Sequence, residues 1–168
     1  MTAGTVVIVG AGHAGFQVAA SLRQHGFAGR VCLLNDEAHL PYQRPPLSKA
    51  YLKGEGRPDS LMFRPDKFYR DQTIELIADR AVGIDRGARK LSLASGASLD
   101  YWHLVLATGA RNRLLDIPNA GLEAVRYLRT LDESEALRKQ IAPGQRVVVI
   151  GAGFIGLEFA ATARAKGL

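Results

Sequence analysis

Cysteine is almost missing from this chain: Cys32 is the only one in 168 residues. A single thiol excludes an intramolecular disulfide framework and a Cys-x-x-Cys redox pair. Set in Val31-Cys32-Leu33-Leu34, it reads as a small core residue. Long apolar runs are also missing, and no segment approaches the ~18 consecutive apolar residues that a membrane-spanning helix needs. The first residues carry no basic region followed by an apolar stretch, so no secretory signal is read. A cytoplasmic setting is therefore expected. The four histidines (His13, His25, His39 and His103) show no metal-ligand spacing, and no metal site is expected. No Ser-His-Asp arrangement stands out either.

Charge is present in mild excess of one sign. Lys and Arg number 22 against 16 Asp and Glu, a net +6. Part of the excess falls in the segment from Arg44 to Arg70, where the basic residues are dispersed. No helix-turn-helix, zinc-finger or RNA-binding signature accompanies them, so nucleic acid is not expected. The segment reads either as a solvated surface or as one that steers an acidic protein or an anionic cofactor.

What the chain does have is one glycine motif twice. Gly10-Ala11-Gly12-His13-Ala14-Gly15 follows the apolar run Thr5-Val6-Val7-Ile8-Val9. Gly151-Ala152-Gly153-Phe154-Ile155-Gly156 follows Val147-Val148-Val149-Ile150. Each reads as strand, G-x-G-x-x-G, helix. The first glycine permits the tight turn, the second lets a pyrophosphate approach the backbone, and the third lets helix and strand pack closely. The phosphates then rest on free N–H groups at a helix N-terminus. Two such motifs point to two dinucleotides, and hence to electron or hydride transfer between them.

The pattern predicts a first helix over about 14–25 and a second strand over 30–34. Asp36 or Glu37 then falls where this fold places a ribose-binding acid. The proline-rich stretch Arg44-Pro45-Pro46-Leu47-Ser48-Lys49 excludes regular helix or central strand. Short helices are expected near Leu47 and Pro65. A lysine just after stiff prolines is accurately placed and suits stabilisation of an anionic reduced flavin. From composition alone the same loop reads as a proline-rich surface with a solvated lysine. A short buried strand over 74–77 precedes a small antiparallel meander over 81–101, punctuated by Gly87 and Gly96. A buried strand over 103–107 ends in Thr108-Gly109, a turn where a ligand can approach backbone. Helices are expected over 132–140 and 155–166. The residue that selects NAD or NADP, after the next strand, does not occur before Leu168, so the chain is expected to be part of a longer protein.

Taken together, four segments resemble the bacterial FAD-dependent ferredoxin reductases that serve haem-thiolate monooxygenases and ring-hydroxylating dioxygenases. These are Pro41 to Leu52, Leu104 to Arg111, Tyr127 to Leu131 and Gly151 to Glu158. The resemblance implies an α/β fold. A Rossmann-like FAD-binding domain (1–112), with a central parallel sheet and a small antiparallel meander, leads into the start of a second Rossmann-like domain for NAD(P)H (113–168). It implies that Gly10, Gly12, His13, Ala14 and Gly15 hold the FAD pyrophosphate and that Asp36, or Glu37, takes the ribose. Arg44, Pro45 and Lys49 are implied along the flavin and pyrophosphate, and Val82 beside the adenine. Ala107, Thr108, Gly109 and Arg129 are implied to line the flavin. Gly151, Gly153, Phe154, Ile155 and Gly156 are implied to meet the NADH pyrophosphate, with NADPH left open. Lys49 and Glu158 are implied as a catalytic pair beside the flavin. The implied activity passes electrons from NADH through FAD to an iron–sulfur ferredoxin. The competing expectation is a dinucleotide-binding piece without turnover.

Overall fold

The computed structural model describes residues 4–168. Contacts divide the chain into two compact units, Met1–Gln43 with Met62–Gly109, and Arg44–Leu61 with Ala110–Leu168.

The first unit is built on a four-stranded parallel sheet in the order β3-β2-β1-β7. Its strands are β1 (Val6–Val9), β2 (Val31–Asn35), β3 (Ile74–Ala78) and β7 (His103–Leu106). Helix α1 (His13–Gln24) links β1 to β2, and a short helix α3 (Asp66–Asp71) precedes β3. The strands β4 (Ala81–Asp85), β5 (Lys90–Leu93) and β6 (Ser98–Asp100) form the expected antiparallel meander. Successive side chains of a strand point to opposite faces, and both faces of this sheet are covered. Val6, Ile8, Val31 and Leu33 pack with Phe16, Ala19 and Tyr69 on the helix side. Val7, Val9, Cys32 and Leu34 pack with Leu91 and Leu93 of the meander. Burial on both faces is why β1 and β2 are continuous apolar runs rather than alternating ones. Each of the fully buried Ile and Leu side chains contributes about 1.5–3 kcal/mol of transfer free energy.

Two polar devices hold the amino-terminal edge of this sheet. The Arg23 guanidinium donates to four backbone carbonyls: Phe27 and Gly29 at 2.6 and 2.8 Å, and Gln72 and Thr73 at 2.8 and 2.7 Å. It thereby ties the end of α1 to the approach to β3. Next to it, Arg30 makes a two-pronged bridge to Glu75 at 2.8 and 2.9 Å. The buried Cys32 thiol donates to the same carboxylate at 3.6 Å.

Strand β7 differs from its expected burial. Among the described residues it pairs only with β1 and lies at the edge of the sheet, which leaves Leu106 61% exposed.

The second unit contains a 3-10 turn at Pro45–Ser48, helix α2 (Ala50–Lys53), a second 3-10 turn at Pro58–Leu61, helix α4 (Leu131–Gln140) and helix α5 (Phe154–Ala165). Prolines fix φ and withhold an N–H, so the tight 3-10 turn replaces a full helix at Pro45-Pro46. Tyr51 anchors α2 on α4: its hydroxyl donates to Glu135, and the Arg138 guanidinium lies 4.6 Å from its ring centroid. The strand expected over 147–150 is not formed. Among the described residues no neighbour takes up its backbone groups, and Val148 and Ile150 are 86% and 67% exposed. A strand is defined by its ladder, and an apolar sequence alone does not supply one.

Candidate functional site: two glycine turns and a proline-braced lysine

In the first glycine turn, Gly10 has φ +102°, a conformation that side chains with a Cβ rarely adopt. A Cβ there would also strike the Ala107 carbonyl. Gly15 packs so closely that a Cβ would meet the Gly10 carbonyl and lie 3.3 Å from Ile8 Cγ2. Gly12 is different. It is the N-cap of α1 with φ −75°, and a Cβ built on it meets nothing within 4 Å. That open space lies at the start of a helix that receives no side-chain cap. Uncapped N–H groups at a helix start are what a phosphate requires.

The second turn repeats this backbone. Gly151 has φ +107°, Gly153 is the N-cap of α5 at φ −73° with open space above it, and α5 also lacks a side-chain cap. A Cβ on Gly156 would strike the Gly151 carbonyl and lie 3.3 Å from Val149 Cγ1, as Gly15 does with Gly10 and Ile8. The contrast with α4 is direct. There the Thr130 hydroxyl accepts from the Glu133 N–H, and the Glu133 carboxylate accepts from the Thr130 N–H in a reciprocal capping box. One helix closes its own N-terminus, whereas α1 and α5 leave theirs open.

The first turn also sits at the topological switch point. The chain runs β1 to β2 to β3 on one side and returns to β1 on the other as β7. Ligands of open α/β sheets bind at the carboxyl ends of the strands at such a reversal. Ala107, Thr108 and Gly109 follow β7 there, and the Ala107 N–H donates to the Val9 carbonyl at 2.8 Å. Gly109 has φ +65°. At the carboxyl ends of β2 and β3 lies a cavity of about 460 Å³, lined by Asp36, Glu37, Asp79 and Arg80 among others. Asp36 is exposed, whereas the Tyr42 hydroxyl donates to Glu37 Oε2. Val82 lies exposed in β4. His13 and Ala14 open α1, and the His13 ring packs edge-on against Phe63, 4.7 Å between centroids.

The second unit gathers the remaining expected residues around the proline turn. Arg44 donates from Nη1 to the Arg129 carbonyl at 3.0 Å. The Arg129 N–H is held by Glu133 Oε2 at 2.6 Å, while Arg129 Nε is buried with no partner. Lys49 follows the turn, and its Nζ lies 2.9 Å from Glu158 Oε1 and 3.4 Å from the Pro45 carbonyl. Glu158 Oε2 accepts from the Ser48 hydroxyl at 2.6 Å. The Ser48 hydroxyl first, and then Lys49, hold the Glu158 carboxyl below the usual carboxylate range. Phe154 and Ile155 start α5 with their side chains exposed.

Several contributors were not among the expected residues. Asp79 and Arg80 carry no motif. Ser48, Ser134 and Thr162 bond across long sequence separations that no local pattern reports. The capping box was readable as Thr130-Leu131-Asp132-Glu133.

Comparison with known proteins agrees with this architecture. The chain is 52% identical over 165 residues to rhodocoxin reductase of Rhodococcus erythropolis, covering 98% of this chain and 39% of that protein. It is 45% identical over 162 residues to putidaredoxin reductase of Pseudomonas putida, covering 94% and 38%. The crystal structure of the ferredoxin reductase for the CYP199A2 system from Rhodopseudomonas palustris matches with a TM-score of 0.93 at 71% identity, over 98% of this chain and 41% of that one. The chain thus spans about two-fifths of the length of these relatives. Residues 4–168 match the family described as pyridine nucleotide-disulphide oxidoreductase. With two like glycine turns, a parallel sheet reversing at the first of them, and relatives of this identity, the chain belongs to the pyridine nucleotide-disulphide oxidoreductase family.

Proposed function

We propose that this sequence is part of an NAD(P)H-dependent, FAD-containing ferredoxin reductase. Residues 1–112 would supply most of the FAD-binding domain, and 113–168 would begin the NAD(P)H-binding one. The observation that carries the reading is the pair of matching turns, Gly10–Gly15 and Gly151–Gly156, each open over its middle glycine and each starting an uncapped helix. One dinucleotide would be seated at each.

The residues fit an FAD. Gly12 leaves room for a pyrophosphate against the α1 N-terminus. Asp36 is the exposed acid of its pair and suits the ribose, while Glu37 is engaged by Tyr42. When bound, FAD supplies the conversion of a two-electron hydride into single-electron steps. The chain's own part is to orient and to place charge. Lys49 presents an ammonium fixed by Glu158 and the Pro45 carbonyl, suited to stabilising negative charge on a reduced ring. Cys32 is buried and hydrogen-bonded to Glu75, which gives this thiol no part in that chemistry.

The relatives are named as reductases of rhodocoxin, putidaredoxin and a ferredoxin, and an iron–sulfur ferredoxin serving an oxygenase is the partner class proposed here. The dispersed basic residues from Arg44 to Arg70 suit an acidic partner. A cytoplasmic setting, with access to reduced nicotinamide, goes with this reading.

The test is a visible spectrum of the purified chain after FAD loading and removal of excess, followed by anaerobic NADH. Retained flavin that bleaches supports the reductase reading. A second reading is dinucleotide binding without turnover, and retained flavin that NADH does not bleach would favour it. A colourless chain counts against FAD binding by these residues alone.

A further inference from the structure

The buried polar side chains among the described residues are Ser48, Ser134 and Thr162, at 6%, 0% and 1% exposure. All three belong to the second unit, and all three bond at the proline turn. Ser134 of α4 donates to the Leu47 carbonyl at 2.8 Å. Thr162 of α5 donates to the Ser48 carbonyl at 3.2 Å. Ser48 itself donates to Glu158 Oε2 at 2.6 Å. Glu158 and Thr162 are four residues apart and so share one face of α5. That face grips Ser48 twice, by its hydroxyl and by its carbonyl, while α4 holds the preceding carbonyl.

An isolated Lys–Glu pair of this exposure holds its geometry weakly, because two long side chains must be ordered for a small gain. Here the lysine side chain is 49% and the glutamate 28% exposed. Ser48 changes that balance. Its backbone is pinned from two helices, so its hydroxyl is a fixed point, and a hydroxyl bonded to a carboxylate is among the stronger hydrogen bonds. We propose that Ser48 is the positioning residue of the Lys49–Glu158 pair: by occupying Oε2 it commits Oε1 to Lys49. It thereby couples the helix that starts at the second glycine turn to the lysine that follows the proline turn. The geometry stands without any cofactor; its catalytic meaning rests on the reading of Lys49 as a flavin neighbour.

The experiment follows the Glu158 carboxyl by ¹³C NMR across an acid titration of the 168-residue chain. Ser48→Ala is expected to move the Glu158 midpoint upward, toward the ordinary glutamate range, and Ser48→Thr, which keeps the hydroxyl, to restore it. Ser134→Ala loosens the pin on the preceding carbonyl without removing a hydrogen bond to Glu158, so it is expected to lower the melting temperature and to move the midpoint clearly less than Ser48→Ala does. A Glu158 midpoint unchanged in a folded Ser48→Ala chain overturns the proposal, as does an equal shift in Ser134→Ala. FAD retention is measured separately on the wild-type chain, so failure of the cofactor reading is distinguishable from failure of this one.

Discussion

Lys49 Nζ and Glu158 Oε1 stand 2.9 Å apart, joining the residue after the proline turn to the helix after the second glycine turn. If that ammonium stabilises a reduced flavin, Lys49→Ala in the flavin-loaded longer protein will slow reduction by NADH. Loss of one charge-assisted interaction of about 1.5–3 kcal/mol corresponds to roughly tenfold to a hundredfold in rate. Stopped-flow absorbance under anaerobic conditions measures this. An unchanged rate would return Lys49 to the solvated surface lysine of its composition-level reading.

The glycines of the first turn are expected to fail in different ways. Gly12→Val places its side chain in open space at a φ any residue tolerates. The fold should keep its melting temperature while FAD retention is lost. Gly10→Ala meets both a positive φ and the Ala107 carbonyl, and it should lower stability by about 1–3 kcal/mol. Thermal melts and flavin retention on both variants separate the two roles. A yellow, fully loaded Gly12→Val would sink the pyrophosphate assignment.

Arg23 is a structural centre, since its guanidinium serves four backbone carbonyls. Removing it leaves those carbonyls short of donors. Arg23→Ala is expected to cost about 2–4 kcal/mol. Arg23→Lys should recover little, because an ammonium cannot reproduce the planar fork. Urea denaturation of the three proteins is the check.

The Arg30–Glu75–Cys32 group predicts how stability responds to pH. Glu75 is held below the usual carboxylate range, chiefly by the hydrogen bond from Arg30. Its contribution is therefore present above the ordinary carboxyl range and is lost as pH falls through it. The Cys32 thiol is pushed up to about 11, by burial first and then by the Glu75 charge. Its contribution is full below the unfolded thiol's range and fades as pH rises through about 11. The melting-temperature gap between wild type and Glu75→Gln should accordingly narrow from neutral pH to about pH 3. A gap that stays constant would show that the bridge carries no linked stability.

Much of this architecture was legible because it is local. The runs at 6–9 and 31–34 announced buried parallel strands, and Gly10–Gly15 announced the turn between strand and helix. The meander showed itself by alternation, since Leu91 and Leu93 are buried while Lys90 and Ser92 are not. Two things were not legible. The apolar segment 147–150 looked like a strand, but a strand exists only when a neighbour answers its hydrogen bonds. The hydroxyl contacts of Ser48, Ser134 and Thr162 join residues 87 to 114 apart in sequence, and serine and threonine at such positions look like any surface residue.

The chain passes from one compact unit to the other at Gln43–Arg44, returns at Leu61–Met62, and passes again at Gly109–Ala110. The excursion is pinched at its base, where Tyr42 bridges Met62 and the Phe63 N–H donates to the Pro41 carbonyl at 2.9 Å. The two units are thus stitched rather than strung. A protease that cuts one crossing leaves the others intact, and no single cut yields two separate pieces each carrying a whole unit. A gene fusion that moved the second unit elsewhere would have to carry the proline turn with it, because that turn is encoded between two parts of the first unit and folded into the second.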